Sequence, residues 1–103
     1  MKKYTVVILP EAEADFRDAV KYYNDINPKL GQRFVKITKS TVNDLKKIPH
    51  YQIKYDEIRL RIIYKFPYTI HFSVNDDLKI IYIWGFRYAP SNPENWPKTI
   101  QTP

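Results

Sequence analysis

The sequence predicts an α+β fold in the order β-α-α-β-β-β, with a helical hairpin packed on one face of a mainly antiparallel sheet. Three observations predict it. Apolar residues recur at helical spacing between residues 10 and 48, then alternate with a period of two between residues 58 and 74. The two helical stretches meet at Asn27-Pro28, a junction so short that the helices must run antiparallel. A β-branched run precedes the first helix, and a nearly continuous apolar run follows the alternating segments.

Tyr4 to Leu9 is short, rich in valine and isoleucine, and closed by Pro10, which predicts a strand. Its unbroken apolar character predicts burial on both faces, inside the sheet. Pro10 suits the first turn of a helix, where its missing N–H costs nothing, and Glu11 and Glu13 favour the positive helix end. Ala12, Phe16, Ala19, Val20 and Tyr23 form one stripe, predicting a helix to about Asp25. Asn27 is the expected N-cap of the next helix and Pro28 its first residue. The stripe Leu30, Phe34, Ile37, Thr41, Leu45, Ile48 carries that helix to Pro49.

Ile58, Leu60, Ile62 and Tyr64 alternate with Arg59 and Arg61, predicting a half-buried strand with its arginines outward. After a turn at Lys65-Phe66-Pro67, Tyr68, Ile70, Phe72 and Val74 alternate with Thr69, His71 and Ser73. Asn75-Asp76-Asp77 supplies turn chemistry without glycine, and Leu78 to Phe86 is the expected most buried strand of this half. The chain reads as a single domain over 1–103, with 88–103 an extended tail pinned by Trp96.

Composition narrows the function. The chain of 103 residues has no cysteine, which excludes disulfides, thiolate metal sites and cysteine nucleophiles and makes a reducing cytoplasm the expected location. The run behind Met1-Lys2-Lys3 is too short for a signal peptide, and no stretch reaches the ~20 apolar residues of a membrane span. His50 and His71 have no carboxylate beside them at ligand spacing, so no metal is expected. Gly31 and Gly85 are the only glycines and cannot build a phosphate loop; Ser40, Ser73 and Ser91 lack a nucleophile-elbow context. No cofactor is expected.

Charge is uneven. Residues 1–27 carry four basic and five acidic side chains, whereas residues 28–103 carry thirteen and six. The positive field therefore belongs to the second helix and the sheet, and favours an acidic or anionic partner. The lysines and arginine of the second helix (Lys29, Arg33, Lys36, Lys39, Lys46, Lys47) read mainly as a solvated face. With no bulge, the alternation places Arg59, Arg61, Thr69, His71 and Ser73 on one sheet face away from the helices, and if Ile81 and Ile83 continue that face, Arg87 ends it. Three arginines and a histidine there would form a basic concavity suited to phosphates or carboxylates. The alternative is an ordinary exposed sheet face.

Several pieces resemble the ParE branch of the RelE/ParE toxins, spread in order over about residues 4–96. They are Leu9-Pro10-Glu11-Ala12, Leu30-Gly31-Gln32-Arg33-Phe34, Leu45 through Pro49, Ile58-Arg59, Lys65-Phe66-Pro67-Tyr68-Thr69-Ile70, and Asn92-Pro93-Glu94-Asn95-Trp96. The resemblance implies the β-α-α-β-β-β fold and a bacterial type II toxin paired with an antitoxin that carries an acidic or amphipathic C-terminal segment. RelE-like members cleave mRNA on the ribosome with basic residues of the sheet; ParE-like members inhibit DNA gyrase. Where RelE-like members carry arginine after a tyrosine, this chain has Tyr68-Thr69, and Trp84-Gly85-Phe86-Arg87 lacks a histidine common in ParE-like members. The resemblance therefore implies a toxin that binds a protein target without chemistry, with Arg59, Arg61, His71, Arg87 and Trp96 as target or antitoxin contacts. It implies no membrane partner and no sequence-specific DNA binding by the toxin alone. The alternatives are a metal-independent, ribosome-dependent endonuclease using His71, Arg61 and Arg87, and a toxin-derived module that keeps only antitoxin binding.

Overall fold

A computed structural model describes residues 3–89. The elements are β1 (Thr5–Ile8), α1 (Pro10–Ile26), α2 (Pro28–Lys47), β2 (Ile53–Tyr55), β3 (Ile58–Ile62), β4 (Tyr68–Asn75) and β5 (Ile80–Tyr88). The five strands form one sheet in the order β1-β5-β4-β3-β2. Only β1 and β5 pair in parallel; the other three pairings are antiparallel. The predicted fold class and element order hold, with β2 as an added short strand at the far edge. The expected tail and Trp96 lie outside the described residues, apart from Tyr88, which closes β5, and Ala89, whose N–H donates to the Pro67 carbonyl.

Local chemistry accounts for the helix ends. Prolines stand at the start of both helices, and the Asn27 side chain accepts the Lys29 N–H at 2.9 Å, capping α2 as its residue type predicts. The helices approach closely at Gly31, where a Cβ would overlap the Asn24 side chain. Ile48, expected as the last residue of the α2 stripe, lies beyond the helix and is exposed. Pro49 follows, and the residue before a proline is pushed out of helical geometry.

Phe34 is the hub of the core. Its ring meets Phe16 and Tyr23 of α1, and Phe66 and Tyr68 beyond β3, with centroids 5.0–5.7 Å apart. Phe66 thus leaves the Lys65-Phe66-Pro67 turn and fills the space between hairpin and sheet, which explains why an aromatic residue occupies a tight turn. Leu45, Ile63, Ile70, Phe72, Ile81, Ile83 and Phe86 complete this core.

β1 departs from expectation. It pairs with β5 alone and forms one edge of the sheet, with Val7 and Ile8 partly exposed. Val6 packs against the core. A continuous apolar run here marks an edge strand with one buried side, not an interior strand.

Candidate functional site

Register decides which face each candidate residue occupies, because residues directly opposite in adjacent strands point the same way. Arg59 stands opposite Phe72, and Arg61 opposite Ile70. Phe72 and Ile70 are core residues, so both arginines lie on the helix side of the sheet. The expected outward placement of Arg59 and Arg61 is therefore reversed. Ile58 and Leu60 take the outer face instead, Ile58 fully buried there and Leu60 opposite His71, while Ile62 is exposed and Ile63 turns into the core. The helices pack over β5 and β1, so the helix side of β3 stays open enough to hold charged side chains beside α2.

Thr69, His71 and Ser73 do share the outer face, as alternation predicts. Arg87 joins them through a bulge. His71 pairs with Gly85 but Phe72 with Ile83, so Trp84 is an extra residue that reverses the phase of β5. Ile81, Ile83 and Phe86 consequently all face the core while Arg87 stands opposite Thr69. The Trp84 indole N–H donates to Ser73 Oγ at 2.8 Å, fastening the bulge to β4.

His71 is buried under this face, with Nδ1 2.9 Å from the Tyr55 hydroxyl of β2. Burial, reinforced by the Arg87 charge, lowers its pKa to about 4. Burial likewise raises Tyr55 to about 12. At neutral pH the pair is an uncharged imidazole beside an uncharged phenol. Arg87 is held at the sheet edge by α1: its Nη1 lies 3.4 Å from Asp15 Oδ1, and Asp15 Oδ2 accepts the Phe86 N–H at 3.2 Å. The last β1 pairing is the Leu9 N–H to the Ile83 carbonyl, so Asp15 substitutes for a neighbouring strand beyond it. Desolvation raises the Asp15 pKa, with Arg87 opposing.

On the other side, Asp44, Lys47, Ile48, His50, Tyr51 and Arg61 line an open cleft of about 410 Å³ between the end of α2 and β3. Arg61 donates to the Tyr51 hydroxyl at 2.9 Å and stacks over that ring at 5.6 Å. His50 Nε2 is 2.7 Å from Asp76 Oδ1, which also accepts from the Tyr4 hydroxyl at 2.6 Å. These contacts with Tyr4 and His50 lower the Asp76 pKa.

A model of the family described as ParE toxin of type II toxin-antitoxin system, parDE, matches residues 6–90. The chain belongs to the ParE toxin family. A solved chain from the chromosomal ParDE TA system of P. aeruginosa is similar in fold, with a TM-score of 0.73 at 18% identity over 84% of this chain and 96% of that one. No curated protein sequence matches.

In this ParE-family chain the expected basic concavity is two sites on opposite sides of one sheet. Arg61 lines the helix-side cleft, with Arg59 on the same side of β3, and His71 and Arg87 belong to the outer face. Sequence reasoning missed Tyr51, Tyr55 and Asp15. Tyr51 precedes and Tyr55 ends a three-residue strand with too few positions to show a period, and Asp15 reads as an ordinary polar residue on a helix. Among the described residues, no helix is long and apolar enough to cross a membrane.

Proposed function

We propose that this chain is the growth-arresting toxin of a type II toxin–antitoxin pair, that it acts in the cytoplasm by binding a protein target, and that a cognate antitoxin neutralises it. Family membership supports the toxin reading. The observation that carries the binding mode is the division of the candidate catalytic groups. RNA cleavage by an attacking 2′-hydroxyl needs a base and several cations aimed at one phosphate. Here Arg61 lies on the opposite side of the sheet from His71 and Arg87, so the three cannot meet one phosphate. A histidine with a pKa of about 4 is a weak base at neutral pH and is almost never protonated to act as an acid. Arginine stays protonated and cannot replace it.

Arg87 is the outer-face residue best placed to contact a target, being partly exposed and held by Asp15. DNA gyrase is the target implied by the family resemblance. The test combines a gyrase supercoiling assay, a ribosome-programmed mRNA cleavage assay and growth after induced expression. Wild type is expected to inhibit supercoiling, cleave no mRNA and arrest growth; Arg87→Ala is expected to relieve the arrest at equal expression. Position-specific cleavage by wild type, reduced ~100-fold or more by His71→Ala or Arg87→Ala, would overturn this reading in favour of an endonuclease. Antitoxin binding without any growth arrest would instead identify a decayed toxin module.

A further inference from the structure

Arg59 and Arg61 stand two residues apart on the same side of β3, and the Nε atom of each is buried with no hydrogen-bond partner. A buried donor left unpaired is costly, so two on neighbouring arginines of one strand face call for an explanation, and an acceptor brought by a partner supplies one. The Arg61 guanidinium is held in one orientation by Tyr51, through the hydroxyl contact and the ring beneath it. Its nearest carboxylate, Asp44, is 4.0 Å from Nη2, beyond hydrogen-bonding distance, and largely exposed. Lys47 lines the same cleft. Exposed Ile48 lines the cleft beside Lys47, and exposed Ile53 stands opposite Arg59 on β2, so apolar side chains accompany the arginines on this side of the sheet.

We propose that this cleft binds a carboxylate side chain of an acidic, partly apolar polypeptide segment, with Arg61 as the donor inside the cleft and Arg59, two residues along the same side of β3, as the neighbouring donor. Arginine's planar fork matches a carboxylate bidentately. The exposed isoleucines match apolar residues beside that carboxylate in a way that a free inorganic anion could not use. The cleft also opens at the C-terminal end of α2, where the helix dipole is negative. That end disfavours a compact dianion such as phosphate, which is better served by helix N-termini. A singly charged side chain held by two arginines tolerates it. This deepens the proposed function by giving the chemistry of the antitoxin segment, and rests on that reading only for the partner's identity.

The test is an NMR titration of the ¹⁵N-labelled whole chain, following the arginine Nε–Hε signals. The probe is a blocked peptide of alternating glutamate and leucine, compared with its glutamine counterpart and with inorganic phosphate. The Arg59 and Arg61 signals are expected to shift with the glutamate peptide alone. Affinity should fall at least ~10-fold in Arg61→Gln and Arg59→Gln, as for truncating one partner of a desolvated charge pair. Lys21→Gln, on the exposed side of α1, removes the same charge at a distance and should bind as wild type does. The backbone spectrum of each variant reports its fold, and Arg61→Lys supplies a charge-conserving variant whose affinity should lie between wild type and Arg61→Gln. An equal response to the glutamine peptide or to phosphate overturns the proposal, as does equal weakening by Lys21→Gln or no shift at all. A wild-type chain that fails to arrest growth would defeat the toxin reading and leave this titration intact.

Discussion

His71 shows how one buried side chain sets a pH limit on the fold. Its ordinary pKa is near 6.5, and burial beside Arg87 lowers it to about 4. Between those values the unfolded chain binds a proton that the folded chain refuses, so stability falls as the solution is acidified. The loss begins near pH 6.5 and is complete near pH 4, reaching up to about 3 kcal/mol at the acidic end by the usual conversion of pKa difference into free energy. Asp15 works in the opposite direction: with its pKa raised, the folded chain takes up a proton more readily than the unfolded chain as acidity approaches the carboxylate range. Asp76, whose pKa is lowered, loses its contribution only at still lower pH. The difference between wild type and His71→Gln over pH 5–7 therefore isolates this histidine. Urea unfolding at pH 7 and pH 5 should show wild type losing about 2 kcal/mol across that range, and His71→Gln, which cannot titrate, losing much less. Equal losses in the two proteins would refute the assignment. The outer face of His71 was legible from alternation, but its burial was not, because Tyr55 comes from a strand too short to leave a pattern.

The β2–β3 turn carries strain that its residue types explain. Tyr55 pairs with Ile58, so Asp56 and Glu57 are the two central residues, and both have positive φ, 41° and 66°. This is the handedness a two-residue hairpin demands, and the position occupied by Glu57 is the one where glycine is strongly preferred. A side chain with a Cβ in the left-handed region is disfavoured by roughly 1–2 kcal/mol, part of which glycine returns through its freer unfolded state. Glu57→Gly should therefore stabilise the protein by about 0.5–1 kcal/mol, raising the thermal midpoint by a few degrees. An unchanged or lower midpoint would show that Glu57 is held by something other than turn geometry. The same hairpin accounts for what sequence pattern could and could not give at this scale. Alternation through Ile58–Tyr64 identified a strand, yet it assumed that the apolar members face the helices. The assumption fails because Tyr55 and His71 build a small buried cluster on the reverse side, which claims Ile58 and Leu60 and sends both arginines to the helix side, Arg61 towards Asp44 of α2. The Trp84 bulge, a change of phase inside a uniformly apolar run, left no trace in periodicity either. The helices, by contrast, were readable because Pro10, Asn27 and Pro28 mark ends that depend on local chemistry alone.

Across the whole molecule, the proposed acidic partner would meet two kinds of charge, and they should separate kinetically. The net charge of +6 creates a long-range field, concentrated beyond residue 28, that speeds encounter without requiring any particular contact. Such steering weakens as salt shortens the screening length, which is about 10 Å at 0.1 M and about 3 Å at 1 M. Arg61 is different: about two thirds of its side chain is buried, it is oriented by Tyr51, and the partner contact proposed for it would form only after docking. Losing a contact of that kind mainly quickens dissociation. In stopped-flow or surface-binding measurements with a cognate antitoxin, the association rate of wild type should fall severalfold or more between low and high salt, with a smaller change in the dissociation rate. Arg61→Gln at constant salt should show the converse, a dissociation rate raised by ~10-fold or more with association altered less than threefold or so. If Arg61→Gln acts chiefly on association, the arginine is one more member of the general field and the cleft confers no specific hold. If salt leaves association untouched, the uneven charge of the chain does not guide its partner.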